Sequence, residues 1–92
     1  MPALRLTAAT LANVASSATN VTLFAAAAAN GRAVYNDSTA VLYIKFGVTA
    51  SATSYTVQVA AGGYYEFPQP LYTGQVDCLW ASANGNARVT SW

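Results

Sequence analysis

From Asn20 onward the chain is cut into short alternating runs by closely spaced turn signals. That rhythm leaves room for strands but little for helices. The clearest run places Tyr55, Val57 and Val59 on one face and Thr56 and Gln58 on the other, and Gly62-Gly63 then breaks it. An earlier run is apolar on both sides: Ala40, Leu42, Ile44 and Phe46 share one face, and Val41, Tyr43 and Lys45 the opposite one. Such a strand lies in the middle of a sheet or has its outer face covered by a partner. Two more runs end the chain. In one, Val76, Cys78 and Trp80 alternate with Gln75, Asp77 and Leu79; in the other, from about Ala87 to Trp92, Val89 opposes Arg88 and Thr90. Asn84-Gly85 between them predicts a hairpin turn, because both residues tolerate positive φ. Pro68 and Pro70 supply no ladder donor and mark a bend between strands. Together these predict an all-β fold, a small antiparallel, jelly-roll-like β-sandwich of about six to eight short strands over residues 20–92.

Two segments resist this pattern. Val21 to Phe24 favours strand, whereas Ala25 to Ala29 favours helix by propensity alone. The expectation is a strand that ends in the alanines, with a turn at Asn30-Gly31. Residues 1–19 are rich in Ala, Thr and Ser without large apolar anchors. They read as an extended N-terminal arm or an edge strand. Arg5 before an Ala-rich stretch weakly imitates a signal peptide, but Thr7, Thr10 and Asn13 interrupt the apolar run. The expectation is therefore a chain made in the cytoplasm and not exported through a signal peptide. The longest apolar candidate, Val21 to Ala29, falls well short of the roughly 20 residues that a membrane-spanning helix needs.

Charge narrows the partners. Among 92 residues there are four Lys/Arg, three Asp/Glu and no His, a net charge of +1. The charged share is 8%, against about 25% in ordinary soluble chains. Neither nucleic acid nor anionic lipid is expected as a partner, since both are bound through a surplus of positive charge. No cofactor is expected, and zinc sites lack their ligands, with no His and only Cys78. A domain this small buries roughly 60–65% of the surface its unfolded chain exposes, so its own stability is modest. Small domains add disulfides, metals or partner subunits. With the first two lacking, partner chains remain.

Acid–base catalysis requires two titratable groups with pKa values pushed apart. The only carboxylates are Asp37, Glu66 and Asp77. Asp37 lies in the turn-like run Tyr35-Asn36-Asp37-Ser38-Thr39, where Asx side chains bond their own backbone. Glu66, between Tyr65 and Phe67, would need Arg32, Lys45 or Arg88 if it were buried. The hydroxyls have no His to act as base. Cys78 alternates with Val76 and Trp80, the pattern of a small, inert core residue. Gly62-Gly63 lacks the spacing and the Lys-Ser/Thr ending of a phosphate loop. Asn20-Val21-Thr22 and Asn36-Asp37-Ser38 match the glycosylation pattern, as chance allows in a chain this rich in Asn, Ser and Thr. No catalytic residue is assigned, and no enzymatic activity is expected.

The aromatic cluster is the one feature with a functional reading. Tyr64, Tyr65, Phe67, Tyr72 and Trp92, with Trp80 among them, can fill the core in alternation or anchor a protein interface. They can also stack on sugar rings, as in a glycan-binding module. Tyr64, Tyr65, Phe67, Tyr72 and Trp92 are the candidate interface residues.

Four stretches also carry a family resemblance: Arg32-Ala-Val-Tyr-Asn-Asp-Ser-Thr-Ala-Val-Leu-Tyr, Ser54-Tyr-Thr-Val-Gln-Val-Ala-Ala-Gly-Gly-Tyr-Tyr-Glu, Leu71-Tyr-Thr-Gly and Ala83-Asn-Gly-Asn-Ala-Arg-Val-Thr. In order and spacing, the stretch from Arg32 to Trp92 resembles a group of small structural proteins encoded by tailed bacteriophages. The resemblance implies a β-sandwich component of the virion and brings no catalytic residues with it. This chain ends Val89-Thr-Ser-Trp, where many relatives have an acidic residue after Thr, so no role passes to a terminal acid. The expected function is a non-enzymatic virion protein that decorates the capsid. Its expected partners are copies of itself, as in a trimer, and the major capsid protein or another virion protein. A neck or tail position and a host-glycan-binding module are the alternatives.

Overall fold

A computed structural model describes residues 6–92; the part of the expected N-terminal arm at residues 1–5 lies outside them. The strands are β1 (Thr10–Ala15), β2 (Val21–Phe24), β3 (Arg32–Asp37), β4 (Leu42–Phe46), β5 (Val57–Val59), β6 (Tyr64–Glu66), β7 (Val76–Trp80) and β8 (Asn86–Ser91). They form two four-stranded sheets, ordered β1-β8-β3-β6 and β2-β7-β4-β5, and every pairing is antiparallel. First pairs with last and second with seventh; third pairs with sixth and fourth with fifth. The chain is thus one long hairpin rolled up until β3 meets β8 and β4 meets β7. That is the jelly-roll arrangement, and the protein is a small β-sandwich.

Period-two alternation builds the core. Val34, Ala87 and Val89 of the first sheet face Leu42, Ile44, Val76, Cys78 and Trp80 of the second, all buried. The double-sided run around β4 is explained by its central place between β7 and β5. Its inner residues Leu42 and Ile44 are fully buried, and Tyr43 and Lys45 on the outside are half-buried.

Two polar residues inside the sandwich replace bonds that apolar neighbours cannot supply. Asn36 is fully buried, and its amide donates to the carbonyls of Ala40, Val59 and Ala60 at 2.8, 3.0 and 3.2 Å. Its oxygen accepts from the Trp80 indole at 3.1 Å and the Ser38 hydroxyl at 2.7 Å. Arg32, 1% exposed, donates to the carbonyls of Ala25, Tyr72, Thr73 and Gly74, and its guanidinium lies 4.9 Å from the Phe24 ring centre. It fastens two loops to the start of β3 without a carboxylate partner. Among the described residues no buried side-chain nitrogen or oxygen lacks a partner, so the cost of burying these groups is offset throughout.

Several local expectations are corrected. β2 stops at Phe24 rather than continuing into the alanines. A register shift between Thr22 and Phe24 disrupts its pairing with β7. Ala25 then gives its carbonyl to Arg32, and the Ala27 amide bonds to Thr73. Asn84-Gly85 is not a hairpin turn, because β7 and β8 belong to different sheets and the segment crosses between them. Of the two residues only Gly85 has positive φ, +70°, and a Cβ there would collide with the Asp37 carbonyl oxygen. Gly62-Gly63 does form a tight turn, closed by a bond from the Gly63 amide to the Ala60 carbonyl, yet it too joins strands of different sheets. Asp37 ends β3 rather than capping a turn. Tyr55 precedes β5 and swings outward to pack edge-on against Tyr43, leaving the alternation to Val57 and Val59.

Candidate interaction surfaces

The five aromatic residues singled out in the sequence do not form one surface. Phe67, 2% exposed, is a core residue and is withdrawn as an interface candidate. It stacks on Phe46 at 4.9 Å between ring centres and meets Phe24 and Tyr65 at 5.3 and 5.4 Å. Tyr72 extends this stack, lying nearly parallel to Phe46 at 5.2 Å, and is half-buried. The group closes the sandwich beside the Arg32 guanidinium. Trp92 is half-buried, with its indole lying over Gly31 and its backbone bonded to Asn30 and Gly31. Trp80 is internal. Only Tyr64 projects freely, 64% exposed.

Tyr64 belongs to a different surface, the outer face of the first sheet. Registers place Asn13, Arg88, Tyr35 and Tyr64 in one row across β1, β8, β3 and β6. Arg88 donates to Asp37 at 2.8 Å and to Asn13 at 3.2 Å. Both members of the Arg88–Asp37 pair are exposed, so solvent screens it and it adds little stability. It is the only ion pair among the described residues; Glu66 is exposed and unpaired there. The row presents two exposed tyrosines and a neutralised cation, a surface able to stack and to hydrogen-bond.

The third surface lies at the open side of the roll. β1 hydrogen-bonds to β8 over six matched residues, Thr10 with Ser91 through Ala15 with Asn86. All of its side chains are exposed except Val14, which is half-buried, and Leu11 is 74% exposed. Thr10 and Ala12 border an apolar groove of about 250 Å³, with Phe24, Val89, Ala25 and Ala27 to Ala29 on its other walls. Leu6 to Ala9 and Trp92 surround a shallower hollow beyond the end of the strand.

Groups with reactive chemistry lie away from these surfaces. Cys78 is fully buried, and burial, with the Asp77 charge beside it, pushes its thiol up to about 12. A thiol held neutral in this way is a poor nucleophile. Asp77 is buried on the other side of β7 and accepts bonds from Asn20, Thr22 and Gln75. Burial also lowers the pKa of Arg32.

Tyr35 and Tyr43, both on solvent-facing sides, escaped the sequence reading, as did the inward Arg32 and Asn36. A signal existed for three of them. Val34 is an inward residue, and its parity sends Arg32 and Asn36 inward and Tyr35 outward.

No family model, curated protein or solved structure matches the chain.

Proposed function

We propose that this protein is a non-enzymatic structural component of a bacteriophage virion. On this reading it decorates the capsid and acts through contacts with copies of itself and with the major capsid protein. The observation that carries the proposal is a jelly roll with very few charged groups that leaves β1 uncharged and, but for the half-buried Val14, exposed. A free soluble domain ordinarily keeps about 25–35% of its surface charged, whereas a shell subunit has much of its surface covered. The resemblance of residues 32–92 to small structural proteins of tailed phages supplies the virion. Mechanistically, area buried at subunit junctions stabilises the assembled shell by mass action.

The test is copy number per purified particle, measured by quantitative mass spectrometry against the major capsid protein. A copy number equal to that protein's, or a simple symmetric fraction of it, supports decoration. One or two rings of subunits moves the protein to the neck or tail. Absence from the particle overturns the reading.

A second reading has its own observation. Tyr35 and Tyr64 are cross-strand neighbours on an open sheet face, beside Arg88 and Asn13. That is a platform on which a sugar ring can stack while its hydroxyls bond to the flanking side chains. Glycan-array binding abolished by Tyr64→Ala supports this alternative; an empty array removes it.

A further inference from the structure

The sandwich has four edge strands, and three of them are closed to further pairing. β5 and β6 are three residues long, and β6 ends in Glu66 shortly before Pro68. β2 carries the register shift between Thr22 and Phe24. Short length, charge, proline and bulges are the ordinary ways in which a sheet edge is kept from adding strands. β1 has none of them. Its sequence, Thr-Leu-Ala-Asn-Val-Ala, contains no charge and no proline, and its register with β8 runs unbroken over all six residues.

We propose that β1 is a self-pairing edge, joining two copies antiparallel about a two-fold axis into one continuous eight-stranded sheet. The backbone edge of a strand is complementary to itself, and a two-fold contact needs only one strand from each copy. Each main-chain group left open on β1 thereby gains a partner. The lack of charge is what admits the second copy, because the axis residue faces its own duplicate and any charge on so short a strand would be repeated within a few residues on the other copy. The nearest cation, Arg88 on β8, is held by Asp37 and Asn13. An antiparallel two-fold pairs one residue with itself, so the axis passes beside Ala12 or beside Asn13. Leu11, the most exposed large apolar side chain of the strand, then lies opposite Asn13 or Ala15 of the other copy. The inference rests on edge geometry and does not require the virion reading.

The experiment is the mass of the full-length protein in solution from 1 to 500 µM, roughly the range in which small interfaces associate, by light scattering and sedimentation equilibrium. A concentration-dependent dimer is expected. The double variant Leu11→Lys/Ala15→Lys changes two exposed positions, and it is expected to weaken the dimer by about tenfold or more through like-charge repulsion. Its melting temperature at low concentration is expected to match that of the parent. As a second measurement, Ala12→Cys and Asn13→Cys are oxidised separately, with Cys78 buried out of reach. The variant at the axis is expected to cross-link to its own copy. A parent that stays monomeric to 500 µM overturns the proposal, as does a dimer or trimer that the lysines leave unchanged. A dimer that neither cysteine locks overturns it too. Binding of β1 to a different protein, with no self-association, also counts against it. Association in solution and copy number per particle are measured independently, so the two proposals fail separately.

Discussion

β1 and β8 run side by side through six matched residue pairs, yet they occupy different environments. In β8, Ala87 and Val89 are buried against the opposite sheet. In β1 no side chain is fully buried. β8 lies between two strands with the second sheet beneath it, whereas beneath β1 that sheet has given way to the alanine loop and its groove. Main-chain pairing can therefore place a strand in a sheet without placing it in the core. The fully buried side chains lie outside β1, which is held mainly by backbone bonds that contribute only about 1 kcal/mol each and by the half-buried Val14 against the core.

The contrast can be broken most severely from the inside. Asn36→Ala removes the donor to three carbonyls and the acceptor for the Trp80 indole. It is expected to cost about 3–4 kcal/mol, a large share of what so small a domain has. Urea denaturation reads this as an earlier midpoint with an unchanged slope. Gly85→Ala combines positive φ with a backbone collision at Asp37 and is expected to cost about 2 kcal/mol or more in the same assay.

Cys78 sharpens the comparison through pH. Its pKa rises from 9.0 to about 12 on folding. Between those values the unfolded chain binds fewer protons than the folded one, so this group's contribution to stability falls as pH climbs from about 9 to about 12 and is constant below. At pH 8, near the reference pKa of a free thiol, labelling of Cys78 by a thiol reagent is expected to proceed only at the rate of global unfolding. The smallest effect belongs to the edge. Leu11→Ser is expected to change the stability of the monomer by no more than about 0.5 kcal/mol, although it replaces a leucine.

The rhythm of strands and turns was legible because each strand is short and the period of two survives in β4, β7 and β8; β3 was hidden by the turn-like run from Tyr35 to Thr39. Which strand pairs with which was not. Asn84-Gly85 and Gly62-Gly63 are turn signals, but a local signal cannot say that the chain crosses to the other sheet. That is decided by the rolling of the long hairpin and by the fit of Val34, Leu42 and Trp80 between the layers. The aromatic residues misled for a related reason. Adjacent residues on a strand point to opposite faces, so Tyr64 and Tyr65 could not share a surface, and Phe67 followed Tyr65 inward. The alanines ended β2 early because the Arg32 guanidinium, 7 residues away, takes the Ala25 carbonyl.

Hydrogen exchange, resolved by residue at low and at high protein concentration, tests most directly whether β1 stands outside the core as an open edge. The β8 amides bonded to β3 are expected to exchange only through global unfolding at both concentrations. Those of β1 are expected to exchange far faster in dilute solution and to slow as concentration rises. Equal protection of β1 and β8 in dilute solution would contradict the division between core and edge, and β1 rates that ignore concentration would contradict the pairing of copies.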